Sequence, residues 1–167
     1  MAKRQFTTCL WFDGQAEEAA NYYASVFEDS KIGNIGRYTE AGPGEPGSVL
    51  AVEFELTGQK FVGLNGGPEF KFNEAISFQI HCKDQDEVDH YWNKLTEEGE
   101  ESVCGWLKDK YGVSWQVIPD GLIEMISDPD PEKAKRATEA MLSMRKLDIA
   151  AIERAHAGEL EKARTGN

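Results

Sequence analysis

A chain of 167 residues with 40% hydrophobic and 10% aromatic content carries enough apolar material for a packed core, which excludes a disordered or fibrous protein. Thirty Asp and Glu against 18 Lys and Arg leave a formal charge of −12, which repels phosphate backbones and anionic lipid, so neither nucleic acid nor membrane is an expected partner. No apolar run approaches the roughly 20 residues that span a bilayer, and Met1 to Phe6 lacks the apolar stretch of a signal peptide, which predicts a cytoplasmic protein.

Gln5 to Phe12 is apolar, aromatic and β-branched enough for a strand, ended by Asp13-Gly14. Ala16, Ala19, Ala20, Tyr23, Val26 and Phe27 then repeat with helical spacing, and Glu17 and Glu18 suit the first turn of that helix. Lys31 to Thr39 reads as a strand, and a Gly- and Pro-rich loop follows through Gly47. Val49 to Thr57 alternates, with Leu50, Val52, Phe54 and Leu56 on one face and Ala51, Glu53 and Glu55 on the other. The Thr57-Gly58-Gln59 turn joins it to Lys60–Asn65 as a hairpin.

The same grammar then restarts. Ala75 to Cys82 is a strand, and Asp84 with Glu87 three residues later opens a helix whose stripe is Val88, Tyr91, Trp92 and Leu95. Ser102 to Leu107 and Val113 to Ile118 are further strands. At an offset of 69 residues Thr8 falls on Ser77, Phe12 on His81 and Tyr23 on Trp92, a pseudo-repeat of element order rather than of letters. Leu122–Ile126, a helix capped by Asp130-Pro131 with the stripe Ala134, Ala137, Met141 and Met144, and another capped by Asp148 complete the chain, with fraying expected after Ala157. The organisation expected is a single domain over 1–167, with modules over 5–67 and 75–119 and a helical extension over 120–157.

Several motifs fail on context. Gly42-Pro43-Gly44-Glu45-Pro46-Gly47 matches G-x-G-x-x-G but precedes a strand, and its prolines remove backbone donors, so it reads as a loop. Cys9, Cys82 and Cys104 are few, odd in number and without a C-x-x-C pair, which predicts structural thiols rather than a disulfide framework or a zinc site. His81, His90 and His156 form no H-E-x-x-H and no triad with a nucleophile elbow. His81 stands apart because it closes the polar row of an otherwise buried strand, as a hydrogen-bonded structural histidine or as a catalytic one.

That row carries the functional clue. Phe78, Ile80 and Cys82 suit packing beneath a helix, whereas Ser77, Gln79 and His81 point the other way, and Ser114 and Gln116 repeat the split against Trp115 and Val117. Burying such groups unpaired costs about 1–3 kcal/mol each, so this face is either exposed sheet or the lining of a cavity. Leu10, Phe12, Phe61 and Trp106 favour a cavity, because binding sites mix apolar walls with a few polar anchors.

Leu10-Trp11-Phe12-Asp13-Gly14-Gln15-Ala16-Glu17-Glu18-Ala19, Tyr22-Tyr23-Ala24-Ser25-Val26-Phe27 and Asp109-Lys110-Tyr111-Gly112-Val113-Ser114-Trp115-Gln116 resemble the PhnB-like branch of the vicinal oxygen chelate superfamily, which includes glyoxalase I, bleomycin-resistance proteins and extradiol dioxygenases. The likeness extends to the Asp128-Pro129-Asp130-Pro131 and Lys146-Leu147-Asp148-Ile149 segments. It implies an α+β fold of two paired βαβββ modules forming a cupped mixed sheet around a shared cavity, and commonly a homodimer. Members of the branch often carry the name 3-demethylubiquinone-9 3-methyltransferase, yet the chain lacks the glycine-rich nucleotide loop of a typical methyltransferase, so the name alone does not establish methyl transfer. In metal-dependent relatives four ligands sit at strand positions that fall here near Thr8, Gly63, Ser77 and Gln116, of which only Gln116 resembles a ligand. A shifted set of Glu53, His81 and Gln116 is the metal-binding alternative.

The leading expectation is a cofactor-free, metal-free cavity for a small polar or aromatic molecule, with Thr8, Phe12, Asn65, Ser77, Gln79, His81, Trp106, Ser114 and Gln116 as binding residues and Glu53 and His81 as catalytic candidates. The rival is a metal-assisted isomerase, lyase or dioxygenase in which Glu53 or His81 moves a proton. A methyltransferase acting on a quinone precursor is the third reading.

Overall fold

The computed structural model describes residues 6–159, which leaves Gln5 and the chain beyond Glu159, including most of the expected frayed tip, outside the described residues. The chain divides into two compact units between Phe72 and Asn73. Each contains one βαβββ module with a four-stranded mixed sheet, an α+β arrangement. Among the described residues no helix is long and apolar enough to cross a membrane.

In the first unit β1 (Thr8–Phe12), α1 (Ala16–Val26), β2 (Lys31–Arg37), β3 (Val49–Leu56) and β4 (Gln59–Asn65) form a sheet of order β1-β4-β3-β2. β1 and β4 run parallel and the other pairs antiparallel. Leu56 pairs with Gln59, so the hairpin turns on Thr57 (φ 46) and Gly58 (φ 85), both left-handed as a type I′ turn requires. α1 buries Ala16, Ala19, Ala20, Tyr23 and Val26. Beneath it Tyr23, Phe54 and Phe61 stack in succession, with ring centroids 6.1 and 5.2 Å apart. Gly63 lies where a Cβ would come 3.2 Å from that of Ala16, so the absent side chain lets helix and sheet approach.

The second unit repeats the order with β5 (Ser77–Cys82), α2 (Gln85–Thr96), β6 (Glu100–Glu101), β7 (Trp106–Lys108) and β8 (Ser114–Pro119), giving a sheet of order β5-β8-β7-β6. Of the strand expected over Ser102–Leu107 only Trp106 and Leu107 are in a strand, β7, and β6 lies before that span, because Cys104 (φ 57) and Gly105 (φ 81) reverse the chain between the two. Asp84 caps α2 by accepting from Glu87 N at 3.0 Å, and Glu87 reaches back to Lys83 N at 3.0 Å. The buried stripe of α2 is Val88, Trp92 and Leu95.

Three helices follow: α3 (Leu122–Ile126), α4 (Pro131–Leu142) and α5 (Ile149–Ala157). Asp130 caps α4 and Asp148 caps α5. Their shared core is Ile118, Leu122, Ala137, Leu147 and Ile152, so the end of β8 is packed into the helical extension. Gln85 ties α2 to α5, donating to Leu147 O at 3.1 Å and accepting from Ile149 N at 3.0 Å.

Candidate functional site

β5 and β8 run parallel, placing Ser77 opposite Ser114, Gln79 opposite Gln116 and His81 opposite Ile118. Ile80, Cys82, Trp115 and Val117 are buried on the α2 side, so alternation sends the polar members to the other face. β7 extends that face with Trp106 opposite Gln116 and Lys108 opposite Ser114. Burial on the α2 side also pushes the Cys82 thiol up to about 12, with Glu87, Asp120 and Asp84 adding to the effect, so Cys82 stays a neutral core side chain.

On the polar face Gln116 Nε2 donates to Ser77 Oγ at 2.7 Å, and Gln79 Nε2 donates to Gln116 Oε1 at 3.3 Å. The row is neutral and offers both donors and acceptors. Next to it a cavity of about 140 Å³ is lined by Trp106, Lys108, Ser114, Glu74, Glu100 and Glu101, among others. Ser114 is 1% exposed, and its Oγ has no hydrogen-bond partner. Lys108 forms an ion pair with Glu74, which raises the lysine and lowers the carboxyl from their ordinary values. His81 is exposed at the far end of β5. Sequence reasoning missed Lys108 and Glu74; for Lys108 the signal was present, since a period of two from Trp106 puts it on the same face.

The first unit distributes its candidates differently. Glu53 is exposed on the face away from α1, where Oε2 accepts from Asn34 Nδ2 at 2.9 Å. It borders a cavity of about 490 Å³ together with Thr7, Lys31, Lys60 and Val62. Thr8, Phe12 and Asn65 take the α1 side instead. Phe12 is 3% exposed, with its ring 5.4 Å from that of Phe72. Asn65 Oδ1 accepts from Ala16 N at 2.9 Å and Nδ2 donates to Val49 O at 3.0 Å, so its amide clamps the start of α1 to β3. That contact supplies a cap which Gln15 does not, since Gln15 makes no side-chain cap bond.

The split has a simple cause. Ala19, Tyr23 and Val26 correspond to Val88, Trp92 and Leu95 at an offset of 69, but the buried strand residues Leu10 and Phe12 correspond to Ile80 and Cys82 at 70. Residues 13–15 join β1 to α1 whereas only residues 83–84 join β5 to α2. A slip of one residue moves a strand side chain to the opposite face, so matching Thr8 to Ser77 and Phe12 to His81 joined core positions to polar ones.

The donor set does not fit a divalent metal. Thr8 and Gly63 face α1, and Ser77 and Gln116 are neutral and hydrogen-bonded to each other. Among the described residues no group of three or more His, Cys, Asp or Glu side chains is placed to hold a metal ion.

The model of a family described as 3-demethylubiquinone-9 3-methyltransferase matches residues 4–118. No curated protein matches the chain significantly. Among solved structures, the PhnB protein of Bacillus cereus is 39% identical with a TM-score of 0.64, covering 70% of this chain and 99% of its own. A Pseudomonas aeruginosa protein is similar at 16% identity and a TM-score of 0.58, covering 70% of this chain and 98% of its own. The fosfomycin resistance protein FosX of Listeria monocytogenes is similar at 11% identity and a TM-score of 0.52, covering 74% of this chain and 98% of its own. The last two likenesses concern the fold alone.

Proposed function

The chain belongs to the family described as 3-demethylubiquinone-9 3-methyltransferase, the PhnB-like branch of the vicinal oxygen chelate superfamily, and from that premise we propose that it binds or acts on a small polar or aromatic molecule through neutral side chains, without a divalent metal. The observation that carries this reading is the hydrogen-bonded row Ser77, Gln116 and Gln79 on the β5–β8–β7 face. A carboxamide row of this kind selects a ligand by matched donors and acceptors, since an analogue lacking them leaves buried polar groups unpaired. Trp106, opposite Gln116, supplies an apolar wall for the ligand. If the ligand is turned over, His81 on the same face is the candidate proton carrier, and Glu53 is the candidate in the first unit. A homodimer belongs to the same reading, supported by membership of the family.

The test is a thermal-shift screen of the full chain against metabolites and divalent metals. A ligand present at 100 times its Kd stabilises the fold by about 2.7 kcal/mol, a shift that Gln116→Ala is expected to abolish. Stoichiometric metal in protein purified without chelator, lost in His81→Ala and Gln116→Ala, would overturn the reading. Turnover of S-adenosylmethionine with a catechol would move it to the activity in the family's description.

A further inference from the structure

The turn that leads into β7 is held by a segment outside it. Cys104 (φ 57) and Gly105 (φ 81) are successive left-handed residues, and for Cys104, which carries a side chain, that backbone persists only where its surroundings enforce it. The enforcing contacts come from the helical extension: Cys104 N donates to Met144 O and Gly105 N to Arg145 O, each at 2.8 Å. Gly105 accepts from Val117 N at 2.8 Å, yet gives its own N–H to the extension. Leu147 closes on the same point, since a Cβ on Gly105 would come 3.1 Å from Leu147 Cδ1 and 2.6 Å from Val117 O. The segment 144–147 is itself fixed from several directions: Leu147 is buried in the core of the extension, Leu147 O accepts from Gln85 of α2, and Lys146 and Arg145 reach Asp89 of α2 and Glu101 of β6.

The residue that this turn delivers is Trp106. Its main-chain groups both bond inside the turn, N donating to Val103 O at 3.0 Å and O accepting from Ser102 N at 2.9 Å. Its side chain differs from those of the other three tryptophans. Trp11 donates its indole N–H to Gly67 O, Trp92 to Glu101 Oε1 and Trp115 to Asp109 Oδ2, which ties each ring to the fold. Among the described residues Trp106 Nε1 has no acceptor. A half-buried indole with a free N–H on the polar face offers a ligand both an apolar wall and a donor. Without a side-chain bond of its own, the ring is placed by the backbone beneath it.

We propose that residues 144–147 position Trp106 for the ligand, which makes the helical extension a working part of the β5–β8–β7 site rather than only a layer packed on its end. α3, α4 and α5 lie beyond the residues 4–118 that match the family, so this control of the site comes from outside the matched region. The inference rests on the reading of Trp106 as part of the binding face and adds what holds it there.

The test uses the full chain without ligand, so a failed metabolite screen does not decide its outcome. 5-Fluorotryptophan is incorporated at the four tryptophans, and Trp106→Phe assigns the Trp106 fluorine resonance. Leu147→Ala removes the side chain that packs on Gly105, while Ile152→Ala removes a buried side chain of the same core from α5 and serves as the control for lost stability. The expected result is that Leu147→Ala shifts or broadens the Trp106 resonance more than any other, that Ile152→Ala leaves it in place, and that Leu147→Met returns it towards the wild-type position. Amide exchange at Cys104 and Gly105 should rise about tenfold in Leu147→Ala over Ile152→Ala. Where either alanine variant fails to fold, Leu147→Val and Ile152→Val give the same comparison. A Trp106 resonance unchanged when Leu147 is shortened, or moved equally when Ile152 is shortened, overturns the proposal and leaves pairing with β8 as the support of Trp106.

Discussion

The Asp109 carboxylate is 3% exposed and is held by its own loop: Oδ1 accepts from Tyr111 N at 2.9 Å and Val113 N at 3.1 Å, and Oδ2 accepts from Trp115 Nε1 at 2.8 Å. These hydrogen bonds to one buried side chain fix the turn from β7 into β8, which sets where Ser114 and Gln116 start to alternate. The Asp109-Lys110-Tyr111-Gly112-Val113-Ser114-Trp115-Gln116 segment thus acquires a physical meaning as a turn that sets the phase of a strand. Asp109→Ala leaves two N–H groups and an indole N–H unpaired, at about 1–3 kcal/mol for each fully buried group. A loss of about 3 kcal/mol or more in urea unfolding is expected, and a loss below about 1 kcal/mol would show that the carboxylate does not hold the turn.

At the scale of elements, an apolar cluster joins the helical extension to the second sheet, and polar ties within the extension and to α2 have a predictable response to acid. Asp128 Oδ2 meets His156 Nε2 at 2.9 Å, linking the α3–α4 connection to α5, while Asp89 of α2 lies 2.8 Å from Lys146. Backbone donation from Asp130 and the contact with His156 hold the Asp128 carboxyl below its ordinary value of 3.8. Lys146 and Gln85 hold Asp89 below the same 3.8 value. A carboxyl depressed in the folded state contributes stability that is present above its unfolded value and is lost as pH falls through the folded one. The urea midpoint of the wild type should therefore fall more steeply between pH 5 and about pH 2 than that of the Asp89→Asn, Asp128→Asn double variant. Parallel profiles would remove these ties from the account of how the extension is held together and held to α2. Much of this layer was legible beforehand, because caps such as Asp84, Asp130 and Asp148 are local chemistry written in a few consecutive residues. The split into β6 and β7 was not, since a two-residue strand has no periodicity to read.

For the molecule as a whole, the order of elements and the polar face of the second sheet were readable from alternation, because hydrophobic period is intrinsic to a strand. The placement of Thr8, Phe12 and Asn65 was not, because the relation between the halves depends on the length of one connection, which leaves no mark in the letters. Lys108 and Glu74 come together only through folding, since Glu74 precedes β5 and Lys108 ends β7. The proposed homodimer gives a further test at this scale: light scattering should return twice the chain mass of 18.6 kDa at micromolar concentration, and a monomer mass there would remove the dimer from the reading.

The shorter connection at residues 83–84 also limits how the two halves can be recombined. A chimaera that carries β5 into the first half while keeping α1 must bring the longer 13–15 connection with the helix. With the shorter one, α1 would start a residue early and present a face turned by about 100° to its sheet, directing Tyr23 away from Phe54. The crossover point, more than the identity of the exchanged strand, would decide whether such a hybrid folds.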